Sequence, residues 1–169
     1  MKFILIDRIK TIEPAQRIVT TKALSLAEEY LGDHFPTFPV IPGVLMIEGM
    51  TQSAAWLIRE MQGFSHSLVV LKSAKNVKYG YFLRPGNTMR YEVSLLKRDE
   101  TSAKFKAAGY VGDRQAVSAR LELTWSNLAD EKGEFGQRAD QQILQQQRET
   151  FQLLGGDEAL AATRDVSTD

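Results

Sequence analysis

The sequence predicts an α+β fold in which one buried helix is followed by an antiparallel meander. Two patterns carry that prediction. Val44 to Met61 is apolar at 44, 45, 46, 47, 50, 54 to 58 and 61, which leaves no wide polar face, as in a helix buried nearly all round. Three later runs then alternate apolar and polar residues with a period of two: Met89, Tyr91, Val93, Leu95; Ala103, Phe105, Ala107; and Val117, Ala119, Leu121, Leu123, Trp125. That is the period of strands with one face on a helix and the other toward solvent, and a single helix covered by such strands is an α+β layer pattern.

The elements follow in order. Lys2 to Lys10 and Arg17 to Leu24 read as strands, the second with the β-branched centre Ile18-Val19-Thr20-Thr21, and Glu13-Pro14-Ala15-Gln16 is the turn between them. Ser25 to Leu31 forms a short helical or irregular crossing. Pro36, Pro39 and Pro42 each remove a donor and disfavour the α region for the residue before, so His34 to Ile41 is an extended, stiff loop. Pro42 suits the first turn of the central helix, which runs to about Gln62 and stops at Gly63. Leu68 to Val77 is a strand, basic at Lys72 and Lys75, and the three-strand meander follows with hairpin breaks at Asp99-Glu100 and Gly112-Asp113-Arg114.

Composition narrows the function classes. At 169 residues and 43% hydrophobic, the chain is large enough to bury a core without staples. It has no cysteine, which excludes disulfides and thiolate chemistry, and its two histidines make a histidine-rich metal site implausible. No early apolar run is long enough for a signal or membrane segment, so the cytoplasm is the default location. The balance of 21 basic and 21 acidic residues hides an asymmetry: residues 130–169 hold nine Asp/Glu and four Lys/Arg, a net of −5, which leaves +5 on the rest. A basic body suits an acidic partner, although ordinary scatter produces the same count.

The chemistry concentrates in His34 to Gln52. Glu48 lies inside the buried helix, so its carboxyl must be paired, hydrogen-bonded or held protonated. Gln52, at i+4, is on the same face and is its natural partner. Taken singly, each group has a plain structural reading: a carboxyl satisfied by Gln52, and a core histidine satisfied by a backbone carbonyl. Asp33 is either a partner for His34 or a turn residue after Gly32, and His66, in the loop after the helix, reads as a solvated residue. Together, however, a stiff loop delivers an imidazole just ahead of a helix that carries a carboxyl and offers free N–H groups at its start. Removing a proton α to a thioester carbonyl and expelling a β-hydroxyl needs a base near neutral pKa, a protonated acid and donors for the carbonyl oxygen. His34, Glu48 and the Gly43 N–H supply those three parts.

The run HFPTFPVIPGVLMIEGMTQ resembles the active-site motif of the 3-hydroxyacyl-[acyl-carrier-protein] dehydratases of type II fatty acid synthesis, H-F-P-G-x-P-x-x-P-G-V-L-x-x-E-A-M-A-Q. Phe3 to Ile9, the Arg84-Pro85-Gly86-Asn87 turn and the Val93–Arg98 and Ala103–Lys106 strands extend the resemblance over about residues 1–126. It implies a hotdog fold, an antiparallel sheet wrapped round one long helix, and a homodimer or trimer of dimers whose sites lie at the subunit interface. By the same resemblance His34 would take the C2 proton, Glu48 would handle the hydroxyl, and Gly43 and Gln52 would bind substrate. Acyl carrier protein would be the partner; no metal, organic cofactor, nucleic acid or membrane is implied. Glu rather than Asp at 48 resembles the branch that dehydrates without isomerising. Thr37, Phe38, Gly49, Thr51 and Gly80-Tyr81-Phe82 depart from the family pattern. The alternative is a hotdog paralogue that binds without catalysis or acts on CoA thioesters, as hydratase or thioesterase.

The dehydratase-like domain is expected to span residues 1–129, with residues 130–169 an acidic tail. Within it Gln141 to Leu154 reads as a weakly amphipathic helix that packs Ile143, Leu144, Phe151 and Leu154 on the body, with disorder from Gly155 onward.

Overall fold

The computed structural model describes residues 4–166. Six strands, β1 (Arg8–Glu13), β2 (Arg17–Ala23), β3 (Leu68–Tyr79), β4 (Thr88–Arg98), β5 (Ser102–Val111) and β6 (Arg114–Ser126), form one antiparallel sheet in the order β1-β2-β4-β5-β6-β3. Helix α1 (Gly43–Met61) lies across its concave side and touches β2 through β6. The alternation read from the sequence decides which residues meet it: Met89, Tyr91 and Val93 of β4, Phe105 of β5 and Leu123 of β6 are all fully buried. Met50, Ala54, Leu57 and Ile58 of α1 are equally buried opposite them.

Gly49 explains how closely helix and sheet approach. A Cβ at this position would stand 2.4 Å from both Cζ and Oη of Tyr91, whose ring is sealed under the helix. The weakness that a glycine gives a helix interior is therefore accepted where a large neighbour needs the space. A polar link fixes the register nearby: Thr20 of β2 and Ser53 of α1 share a buried hydroxyl hydrogen bond of 2.8 Å, and Ser53 also donates to the Gly49 carbonyl.

Three expectations change. The first strand starts at Arg8 rather than Lys2; Lys2 and Phe3 lie outside the described residues, and Leu5 and Ile6 are both buried, which a strand with alternating faces does not allow. Those two residues instead run under the body, with the Leu5 N–H donating to Gln52 Oε1. Helix α1 is not covered all round: Val44 is 68% exposed, and Leu45, Ile47 and Glu48 are only partly buried. Its first two turns keep an apolar face open beside β3, one of the two edge strands of the sheet.

The third change is at the C-terminus. Helix α2 (Ala129–Leu153, kinked at Gly133) contains the helix expected from Gln141, whereas helix α3 (Gly156–Val166) stands where disorder is expected from Gly155 onward; residues 167–169 of that stretch lie outside the described residues. Phe151 and Leu154 are buried as expected, and the Phe151 ring packs against Trp56 and Phe64 at the far end of α1. Helix α3 lies on β1, where the Ile9 N–H donates to the Leu154 carbonyl and Arg8 pairs with Glu158. Asp140 anchors the arrangement. Its carboxylate accepts the Leu128 and Ala129 N–H groups, each at 2.9 Å, and the Ser67 hydroxyl. Burial pushes its pKa up, but those three donors outweigh burial and hold it below the ordinary value.

Candidate active site

His34 is presented by the stiff loop the prolines require. Tyr30 and Leu83 carbonyls accept from the His34 and Ile41 N–H groups, and the loop closes on itself through Phe38 N–H to Phe35 O at 2.9 Å. The His34–Phe35 peptide is cis. His34 Nδ1 lies 3.1 Å from the Val40 carbonyl oxygen. A carbonyl only accepts, so Nδ1 carries the proton in this bond and Nε2 keeps its lone pair. Val40, rather than Asp33, orients the ring.

Glu48 sits one and a half turns into α1, half-buried. Gln52 Nε2 donates to its Oε1 at 3.0 Å, while Gln52 Oε1 accepts the Leu5 N–H at 3.0 Å. That second bond fixes which end of the amide faces the carboxyl. Gln52 thus holds Glu48 in one orientation and leaves its other oxygen available. Both residues line a cavity of about 320 Å³ that runs along α1 past Thr51, Ala55 and Arg59 and is walled by α2.

Gly43 opens α1, so its N–H has no acceptor within the helix. Tyr79, at the end of β3, lies against it: a Cβ on Gly43 would come within 2.8 Å of the Tyr79 ring. Partial desolvation raises the Tyr79 pKa, although most of the side chain is exposed. Nothing in the motif pointed to Tyr79, because the contact depends on how β3 ends beside the helix N-terminus.

The four residues do not converge on one cavity within one chain. Glu48 and Gln52 line it; His34 and Gly43 do not. Around those two the surface is apolar, with Phe35, Phe38, Val44, Tyr79 and Phe82 all exposed, and Phe38 wedged between the Phe82 ring and the Arg84 guanidinium. His66 lies apart, bonded to Gln62 and Ser65. Among the described residues no group of His, Cys, Asp or Glu is placed to hold a metal ion, and no helix is long and apolar enough to cross a membrane.

Comparisons with known proteins give the family. The sequence model of the FabA-like domain matches residues 1–120. The chain is 36% identical over 119 residues to the 3-hydroxyacyl-[acyl-carrier-protein] dehydratase FabZ of Desulforamulus reducens, covering 70% of this chain and 84% of that protein. The chain belongs to the FabA-like family. Another relative, the FabZ dehydratase of Pelotomaculum thermopropionicum, is 35% identical over 70% of this chain and 85% of its own length. In structure this FabA-like protein is similar to the dehydratase heterocomplex ApeI:P from Xenorhabdus doucetiae, with a TM-score of 0.60 at 18% identity over 73% of this chain and 84% of that one. The sheet wrapped round α1 is the hotdog fold. The matched region stops short of α2 and α3, so the wall that α2 adds to the Glu48 cavity lies outside it.

Proposed function

We propose that this FabA-like protein is a lyase that dehydrates 3-hydroxyacyl thioesters carried on acyl carrier protein to 2-enoyl thioesters, in sites shared between two subunits. The observation that carries the reading is the Glu48 carboxyl, locked by Gln52 at the wall of an acyl-sized cavity in a chain whose relatives carry the dehydratase name. Under this reading His34 Nε2 takes the C2 proton, with Val40 holding the opposite nitrogen protonated. The C2 electron pair forms the new double bond as the C3–O bond breaks, and a protonated Glu48 gives its proton to the departing hydroxyl, which leaves as water. Charge that builds on the thioester oxygen is met by the Gly43 N–H at the positive end of α1.

The open apolar face near His34 and the unpaired edge of β3 support a homodimer in which a second copy covers both. The His34 of one subunit would then face the Glu48 of the other, which explains why a single chain keeps them in separate surroundings. His34→Ala and Glu48→Gln are each expected to lower kcat/KM by about 10²–10⁴-fold, the range for a lost general acid or base, with the oligomer still folded. Near-normal turnover in either variant would remove that residue from the mechanism.

A further inference from the structure

Arg59 is the unexplained group in the Glu48 cavity. Its guanidinium makes no ion pair or hydrogen bond among the described residues, and its Nε is sealed from water without a partner. Its Cζ lies 5.0 Å from the centroid of the Trp56 ring. Gln147, also on the cavity wall, does not help: its Nε2 is committed to the Ser67 carbonyl, and its buried Oε1 has no donor among the described residues. Burial pulls the Arg59 pKa down to about 10, so the group remains a cation at neutral pH. A half-buried cation with no partner among the described residues and its Nε sealed from water is costly, and a natural compensation is an anion that binds there.

Its placement says which anion. Glu48, Gln52, Ala55 and Arg59 recur every three or four residues on one face of α1, and all line the same cavity. The eleven helical steps from Glu48 to Arg59 span about 16 Å at the rise of an α-helix. A thioester whose C3 lies at Glu48 therefore sends its far end toward Arg59. To the same lining α2 adds Gln146, Gln147 and Thr150 beside Ile143, and those polar groups suit a purely hydrocarbon chain poorly.

We propose that Arg59 selects acyl substrates whose distal end carries a carboxylate, binding that group in the cavity that α2 walls. The proposal rests on the dehydratase reading and goes beyond it, because it assigns the class of acyl chain. A planar guanidinium matches a carboxylate in two parallel hydrogen bonds, whereas a hydrocarbon end would leave the cation buried against methyls.

The test compares 3-hydroxyacyl carrier-protein substrates of equal length, ending in methyl or in carboxylate, over a series of chain lengths. At the length that reaches Arg59, the carboxylate substrate is expected to show a kcat/KM on the order of tenfold or more above its methyl counterpart, the effect of one charge-assisted hydrogen bond. Arg59→Met should abolish that preference, and Arg59→Lys, which keeps the charge, should restore part of it. Because the substitution to Met removes an unpaired buried charge, its melting temperature should not fall; a fall together with unchanged selectivity would show that Arg59 serves assembly and would overturn the proposal. Equal or reversed preference in the unmodified protein would also overturn it. If no substrate of any length is turned over, the dehydratase reading fails, and calorimetric titration with dodecanedioate against dodecanoate decides the cavity by itself. Tighter dicarboxylate binding that Arg59→Met removes supports the assignment; equal binding refutes it.

Discussion

Gly49→Ala restores the residue the family pattern carries at this position, yet here it should destabilise. The new Cβ would stand 2.4 Å from Tyr91 Cζ and Oη and 2.6 Å from Cε2, where ordinary contact needs 3.4 Å or more. Tyr91 cannot yield toward solvent, because it is fully buried beneath α1. Nor can the backbone easily give, since Ser53 ties the Gly49 carbonyl and Thr20 together. Overpacking a core of this kind costs about 1–3 kcal/mol, and three simultaneous short contacts put this case at the upper end. Alanine returns about 1 kcal/mol of helix propensity. The net is a loss of about 2 kcal/mol, or a fall in melting temperature of roughly 4–8 °C for a chain of this size. Thermal unfolding followed by circular dichroism measures it. The pair Gly49→Ala with Tyr91→Leu should recover part of the packing loss, so the two effects will not add. An unchanged or raised melting temperature in Gly49→Ala would refute the claim that Tyr91 dictates the glycine.

Three other outcomes follow from the same structure. Phe151→Ala should lose about 3–5 kcal/mol, as for other buried aromatic truncations, and a chain ending at Ser126 should unfold or aggregate, because Trp56 and Phe64 lose the ring that covers them; a stable, cooperative truncated protein would contradict the packing. Asp140 has a lowered pKa, so its contribution is fully present above its ordinary value of 3.8 and is lost as pH falls through the lowered folded value. The urea-midpoint difference between the unmodified protein and Asp140→Asn should therefore be clear near neutral pH and shrink in acid; a gap that does not change with pH would show that the charge is irrelevant. Finally, co-expressed His34→Ala and Glu48→Gln subunits should regain activity that neither has alone, since one site of each mixed dimer is intact; no recovery from verified mixed dimers would place both residues in the same chain's site.

What the sequence reveals depends on how local the determining physics is. Gln52 as the partner of Glu48 is a matter of helix spacing, and the alternation of β4 to β6 is a matter of pleat, so both are legible. Gly63 as the stop of α1 is equally local, and it adopts a φ of 59°. The start of β1 is not local: Leu5 and Ile6 have the composition of a strand, but the fold has body to cover both. Helix α3 is similar, since its sequence is polar and its order comes from docking on β1. The cap that Asp140 makes joins residues 67, 128, 129 and 140, and no motif spacing announces it. Arg59 reads as an unremarkable charge near the end of a helix, and only the cavity that α2 closes shows it to be unpaired. The apolar first turns of α1 show the reverse. Their composition anticipates more cover than one chain provides.

The most direct measurement is the spectroscopic interconversion of 3-hydroxyacyl and 2-enoyl thioesters by the unmodified protein, on matched carrier-protein and CoA substrates, with His34→Ala as control. The account predicts turnover that the variant lacks and a preference for the carrier-bound substrate. A folded oligomer that converts neither substrate at any chain length would contradict it.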